Sequence, residues 1–567
     1  MHVAKIVRRH GDRVYVSHLV RRSFREGGRV RHETIANVSK LPAAAIEALA
    51  RALRGEALMG AGDAFGIERS LPAGHVECVL AAAGRLGLAR LLDRSPSRER
   101  DLCLAMVCQR VIAAGSKLET TRLLDQTTLA SELAVEGADA DELYAAMDWL
   151  GERQQRIEER LAARHLKGAT LVLYDLSSSY FEGRHCPLAA LGYSRDGKRG
   201  TLQVTYGLLC DPDGRPLAVE VFEGNTIDSQ TVPAQIEKLK GRFGLKAVIV
   251  VCDRGMVTKA NIAAMDEREG IGWITALKAP QVKRLVTRGD LQLSLFDQAN
   301  LAEISSDEFP GERLIVCRNP LVAAERTRKR SELLAATEHE LDKIKQRIKK
   351  GTLQGAAAIG LAVGPELKRY RMRKHFEIEI TDDRLSFTRR HAEINAEQAL
   401  DGIYVIRTSA PAEKLPPADV VRSYKSLARV ERAFRAFKGP LEIRPIGHRL
   451  DQRVRAHVFI CTLAYYLSWH LRDAWAELLF ADEHPPTAPD PVAKAERSTQ
   501  AANKASSKRT RNGHPCHSFE SLITELGLQT RNTIRLHGSD ATFDQLTQPS
   551  TLQARALELI TTVPKHA

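Results

Sequence analysis

The feature that most constrains this chain is a pair of short apolar runs, each of which stops at an aspartate. Leu171-Val172-Leu173-Tyr174 ends at Asp175, and Ala247-Val248-Ile249-Val250-Val251-Cys252 ends at Asp253. Aliphatic runs without polar alternation fit strands covered on both faces. Between them, Leu202 to Leu209 reads as a second strand. A turn follows at Asp211-Pro212-Asp213-Gly214, and a returning strand runs from Leu217 to Phe222. Asp228 is placed to cap a helix reaching about Phe243. A second helix, from about Thr258 to Glu269, leads to a fifth strand, Gly272-Trp273-Ile274-Thr275-Ala276-Leu277. A meander followed by βαβ units predicts a mixed α/β domain.

This order fits a ribonuclease-H-like mixed sheet with flanking helices, in which the first and fourth strands are neighbours. Asp175 and Asp253 would then converge at one sheet edge. A carboxylate at the end of a buried strand is costly without a partner, and two together repel. A divalent cation resolves both problems, and Mg²⁺ prefers such hard oxygen ligands. A third acid is predicted on a helix spanning 421–439. There Val430, Phe434 and Phe437 form a core stripe, and Glu431, Arg435 and Lys438 form the stripe beside it. One acid followed by two bases suits a metal ligand next to phosphate-binding cations. Tyr424 lies on the same edge. Taken singly, each acid reads equally well as a turn, a cap or an exposed ion pair.

The rest of the chain divides by composition. Residues 1–42 are basic and strand-like, with a hairpin turn at Glu26-Gly27-Gly28. Arg21, Arg22, Arg25, Arg29 and Arg31 gather near it, as either a DNA-contacting hairpin or a charge-protected edge. Residues 43–166 read as a helical N-terminal domain for DNA-end binding or dimerisation, with breaks near Gly60–Gly66, Pro72–Gly74 and Pro96. Residues 167–280 would form the first part of the core. An inserted α+β subdomain spans 281–420, its helix carrying Leu334, Leu341, Ile344 and Ile348 in heptad-like register. Residues 421–482 would complete the core. A linker is expected over 483–516 and a short C-terminal segment over 517–567.

Charge narrows the partner. The 84 Lys and Arg outnumber 70 Asp and Glu, a net +14 that favours a polyanion such as nucleic acid. The nine cysteines contain no Cys-x-x-Cys pair, which argues for reduced, buried thiols rather than a disulfide frame or zinc site. No apolar run reaches the roughly 18–20 residues of a membrane span. Secreted, membrane and disulfide-rich classes are set aside, and a cytoplasmic location is expected.

Tyr424, Glu431 and Lys438 stand at the spacing of a Y-x2-R-x3-E-x6-K signature. Around them stand Tyr174-Asp175-Leu176-Ser177-Ser178-Ser179-Tyr180-Phe181-Glu182-Gly183, Gly192-Tyr193-Ser194-Arg195-Asp196, Glu223-Gly224-Asn225-Thr226-Ile227-Asp228-Ser229 and Cys252-Asp253-Arg254-Gly255-Met256. On these residues the chain resembles the DDE transposases of bacterial insertion sequences. The resemblance implies a ribonuclease-H-like domain split by an insertion before its final helix. It implies that Asp175, Asp253 and Glu431 are catalytic and bind two Mg²⁺ ions, with Mn²⁺ able to substitute. It implies that Tyr424 and Lys438 contact phosphates at the element's end, with Lys425, Arg432 and Arg435 as further DNA-binding candidates. The signature arginine position is Leu427 here, and Arg435 is the candidate to supply that charge. The implied partners are double-stranded DNA, as terminal inverted repeats and target, and a second copy in a homodimeric DNA complex. The implied location is the bacterial nucleoid. Two alternatives stay open: a nuclease or resolvase-like enzyme limited to hydrolysis, and a DNA-binding descendant without catalysis.

Overall fold

The computed structural model describes residues 1–56, 64–166, 168, 171–296, 299–537 and 539–566. It divides into two compact units, Met1–Leu71 with Thr530–Gln548, and Pro72–Gln529 with Pro549–Ala567.

The first unit carries two small sheets. His2–His10, Arg13–Glu26 and Arg29–Asn37 form an antiparallel meander, one strand more than the expected hairpin. Gly27 and Gly28 take φ of +57° and +81° at its turn, a conformation that costs glycine little. Arg22, Arg25, Arg29 and Arg31 are exposed around it, and Arg31 pairs with Glu26 at 3.0 Å. The helix Ala43–Leu53 packs on the first strand and buries Ile46. In the second sheet Phe65–Pro72 pairs with Thr530–Leu536, which pairs in turn with Thr542–Leu546. Part of the C-terminal segment therefore returns to this unit. Of the break expected at Gly60–Gly66, residues 60–63 lie outside the described residues.

The second unit begins with six helices between Gly74 and His165, where the sequence predicts helix. Their starts are chemically marked. Ser116 and Asp139 form capping boxes with Glu119 and Glu142, and the Ser97 side chain accepts from the Arg100 amide. These helices surround Asp451–Ala474, which is buried on nearly all sides. That explains why this helix is apolar all round and not amphipathic.

The central sheet has nine strands, numbered here within the sheet in chain order. They are β1 (Leu171–Tyr180), β2 (Ala190–Leu191), β3 (Leu202–Cys210), β4 (Pro216–Glu223), β5 (Val248–Cys252), β6 (Ile271–Ala276), β7 (Leu301–Ile304), β8 (Arg313–Arg318) and β9 (Ile403–Thr408). Their spatial order is β7-β8-β9-β6-β5-β1-β3-β2, with β4 also paired to β3. β1, β5 and β6 are parallel neighbours, and β3 and β4 run antiparallel beside them. This is the ribonuclease-H-like arrangement read from the meander and βαβ order. The segment after Asp228 departs in detail: a short helix, Val232–Glu237, ends in a wide π-turn, Lys238–Arg242.

Three other expectations need correction. The insertion is not a separate body throughout, because β9 pairs with β6, β8 with β9 and β7 with β8, which extends the central sheet. Its remainder, Pro320 to Gln398, has its own core. Leu334, Leu341 and Ile344 pack there with Ile359, Val363 and Leu367, so the heptad-like face is internal packing. The expected linker is also structured. Val492 is fully buried, and Thr499–Ser507 is a helix capped by Ser498. Buried Lys504 holds that helix in place through Glu483 and the Ala476 carbonyl. Finally, the helix expected over 421–439 is two helices, Pro417–Lys425 and Leu427–Lys438. They meet at Ser426, whose hydroxyl donates back to the Ser423 carbonyl at 2.6 Å. Such back-bonding competes with the helical ladder.

Candidate active site

Strand register positions the first two acids. Tyr174 pairs with Cys252 in the parallel β1–β5 ladder, and Asp175 and Asp253 are the next residues on each strand. β5 ends at Cys252, so Asp253 leaves the sheet and is exposed. β1 continues to Tyr180, so Asp175 remains largely enclosed. Its Oδ1 accepts from the Leu176 amide at 2.8 Å. Burial raises the Asp175 carboxyl to about 7, and the charges of Asp253 and Glu431 add to that rise. The Leu176 amide and Arg195 oppose it.

The Leu427–Lys438 helix brings up the third acid. Val430, Phe434 and Phe437 are buried, as the periodicity predicts. The Tyr206 ring on β3 stands 5.8 Å from Phe434 and 6.2 Å from Phe437, and Phe437 meets Tyr465 at 5.8 Å. This aromatic cluster fixes the helix face and turns Glu431 away from the core. Leu427 is buried in that packing, so the signature arginine position is part of the apolar side here.

Asp175, Asp253 and Glu431 line one open cleft of about 600 Å³, with Tyr424 between them. The Tyr424 hydroxyl donates to Asp253 Oδ1 at 3.3 Å. Burial first, and then the Asp253 charge, pushes the Tyr424 phenol well above its usual range. Glu431 is more than half exposed and lies 3.7 Å from Arg435. Among the described residues no three His, Cys, Asp or Glu side chains stand close enough to clasp one ion. The acids share a cleft, then, and as the side chains stand Glu431 is turned towards Arg435. The donor set still suits a hard divalent cation. It is all carboxylate oxygen, and no protein cation forms an ion pair with Asp175 or Asp253 among the described residues.

The predicted DNA-binding cations are placed unequally. Lys438 Nζ lies 2.9 Å from Asp196, a fully buried carboxylate that Arg444 also contacts at 2.6 Å and to which the Tyr180 amide donates. Lys425 donates to the Val492 and Ala493 carbonyls at 3.1 and 3.0 Å. Arg435 neighbours Glu431, while Arg432 is exposed and has no partner among the described residues. Arg254, Asn319, Arg326 and Tyr404 also line the cleft, and the sequence reading missed them in this role. Arg254 had a local signal, since it directly follows Asp253. Arg326 had none, because only the fold brings the insertion to this wall.

Residues 182–467, half of the chain, match the family described as "Transposase DDE domain". The chain belongs to the DDE transposase family. Its N-terminal residues 3–62 match "IS1634 family transposase, N-terminal domain". It is therefore a transposase of the bacterial insertion-sequence kind, an enzyme of DNA cleavage and strand transfer that depends on divalent metal. DNA is its partner. The matched stretch contains Asp253, Tyr424, Glu431 and Lys438, and Asp175 lies just before it.

Among solved structures, the transposase is similar to a piggyBac transposase synaptic complex with hairpin DNA at a TM-score of 0.33 and 9% identity. That match covers 80% of this chain and 76% of the other. It is similar to a Mos1 transposase paired-end complex with the left transposon end at a TM-score of 0.15 and 15% identity, over 36% of this chain and 65% of the other. No curated protein matches the chain. Among the described residues no helix is long and apolar enough to cross a membrane.

Proposed function

We propose that Asp175, Asp253 and Glu431 are the catalytic acids of this transposase and that they hold two Mg²⁺ ions, for which Mn²⁺ substitutes. The observation that carries this reading is the register of β1 and β5, which sets two aspartates side by side at the edge of a cleft that Glu431 also lines. Bound divalent cations supply Lewis-acid stabilisation of the attacking and leaving oxygens in phosphodiester transfer. The protein's own groups do the positioning. Tyr424 orients Asp253 through its hydroxyl, and the Leu176 amide orients Asp175. Glu431 completes the set by turning its carboxylate from Arg435 towards the two aspartates. Arg432 and Arg435 then face the phosphates of the element's end. Water is the nucleophile when the 3′-hydroxyl is released, and that hydroxyl is the nucleophile against target DNA. No Ser or Tyr nucleophile is required. The substrates are the element's terminal inverted repeats and a target duplex, held by a homodimer at the nucleoid.

Lys438 supports the reading indirectly. Its ion pair with Asp196 ties the C-terminal end of the Glu431 helix to the loop after β2. That makes it a positioning residue, and its phosphate contact becomes secondary.

The test is a nicking and strand-transfer assay on a plasmid carrying the DNA that flanks the gene. Wild-type protein in Mg²⁺ releases 3′-hydroxyl ends and joins them to a second duplex. Glu431→Gln retains DNA binding and loses both reactions. Survival of cleavage in that variant would remove Glu431 from the site. Cleavage without joining by the wild type would mark a hydrolytic nuclease instead.

A further inference from the structure

Two cations at this cleft lie outside the signature helix. Lys438 and Lys425 are committed within the protein, to Asp196 and to the Val492 and Ala493 carbonyls. Arg254 and Arg326 line the cleft with the three acids. Both are exposed, and neither has a carboxylate partner among the described residues.

The surroundings of Arg326 show how selective this is. It lies on the Pro320–Lys349 helix one turn beyond Val322, which lines the same cleft, and Asn319 caps that helix. Nearby cations on the helix are neutralised. Arg328 pairs with Glu325 and Glu332, Lys329 pairs with Glu325, and Arg330 is buried against Asp401. Arg326 is the residue of this run that faces the cleft and keeps its charge free. Arg254 lines the same cleft and follows the end of β5, next to Asp253.

We propose that Arg254 and Arg326 grip the phosphodiester backbone of the DNA strand entering the cleft. The first turns of the insertion's long helix then form one wall of the DNA channel. This rests on the reading of the acids as the catalytic set, and it adds residues outside the signature helix. The chemistry favours phosphate over other anions. Guanidinium forks bind phosphate oxygens in bidentate fashion, and two forks lining one cleft without a carboxylate partner among the described residues can both hold phosphates of a single strand. A phosphate strand also tolerates the neighbouring acids, because the divalent cations of the reaction neutralise them.

The test separates binding from cleavage. Affinity for a short linear duplex of arbitrary sequence is measured over a NaCl series at a fixed concentration of Ca²⁺, a hard divalent cation used in place of Mg²⁺ so that the acids are neutralised during binding, for wild type, Arg254→Ala/Arg326→Ala and Arg254→Lys/Arg326→Lys. Each lost phosphate contact reduces the slope of log K against log salt by about 0.9, so the double alanine variant loses about 1.8 and the lysine variant recovers it. An unchanged slope in the alanine variant overturns the proposal. So does a reduced slope that lysine fails to restore, since that marks a structural loss. Mg²⁺-dependent nicking by the wild type is scored separately. Its absence would strike the catalytic reading, whereas intact nicking with an unchanged slope strikes only the assignment of these arginines.

Discussion

Asp196 and Asp175 are both carboxylates withdrawn from water, and the protein treats them differently. Asp196 is fully buried and is met by Lys438 at 2.9 Å, by Arg444 at 2.6 Å and by the Tyr180 amide. Asp175 has one amide donor and no cation in contact, and two further acids line its cleft. A buried charge is tolerated when it is paired, so the first centre is complete within the chain. The second has no cation in contact among the described residues, and burial first, then the charges of Asp253 and Glu431, raise the Asp175 carboxyl to about 7. The difference separates an acid that is paired within the fold from the acids proposed to hold metal.

The largest effect that tests this contrast is catalytic. Asp253→Asn is expected to lower Mg²⁺-dependent strand cleavage by about three orders of magnitude or more while DNA affinity is kept. Gel quantification of nicked plasmid measures it, and cleavage within tenfold of wild type would erase the distinction. Next is Asp196→Asn. It leaves Lys438 and Arg444 beside a neutral group and is expected to cost roughly 3 kcal/mol of stability in urea unfolding. A variant as stable as wild type would make Asp196 dispensable to the fold.

The third effect is a pH dependence of opposite sign to that of a salt-bridged acid. In the unfolded chain Asp175 titrates near 4, and in the folded protein near 7. Between those values the folded state binds more protons, so metal-free stability falls as pH rises from about 4 and the loss is complete above about 7. Asp175→Asn removes this slope. It is expected to be more stable than wild type at pH 8 by about 2 kcal/mol, roughly half of the ~4 kcal/mol that three pKa units carry because Asp175 keeps partial access to solvent, and equal to it below pH 4. Thermal unfolding in EDTA across that range measures the gap, and Mg²⁺ should narrow it. The smallest effect is at the loose pair. Arg435→Ala should change stability by less than about 0.5 kcal/mol, because Arg435 and Glu431 are both exposed and 3.7 Å apart. A larger loss would mean that Glu431 is held by the protein and is less free to turn towards the aspartates.

The core of the fold was legible where local pattern and burial coincide. The strands that lead to Asp175 and Asp253 needed only uninterrupted apolar runs, although the first runs on past Asp175 to Tyr180 through residues that are not aliphatic. The face of Val430, Phe434 and Phe437 needed only helical period. The heptad-like register of Leu334, Leu341 and Ile344 was legible as an apolar face, which the structure buries within the insertion. Non-local pairing was not legible. Nothing within 301–304, 313–318 or 403–408 says which sheet these strands will join, because strand pairing is decided by neighbours far away in sequence. The Ala-, Ser- and Lys-rich stretch near Lys504 looked like a linker, because the charge pair that anchors it is formed only with Glu483 in place.

The sequence alone determined that two acids follow buried apolar runs and that a third stands on an amphipathic helix, because periodicity and apolar runs are local properties of the chain. Only the tertiary structure decided which charges remain available. Lys438 is held by Asp196 and Lys425 by two backbone carbonyls, while Arg254 and Arg326 reach the cleft without a carboxylate partner among the described residues. The physical reason is that a cation's freedom depends on which carboxylate the fold places within a few ångströms of it. Spacing along the chain does not specify that distance.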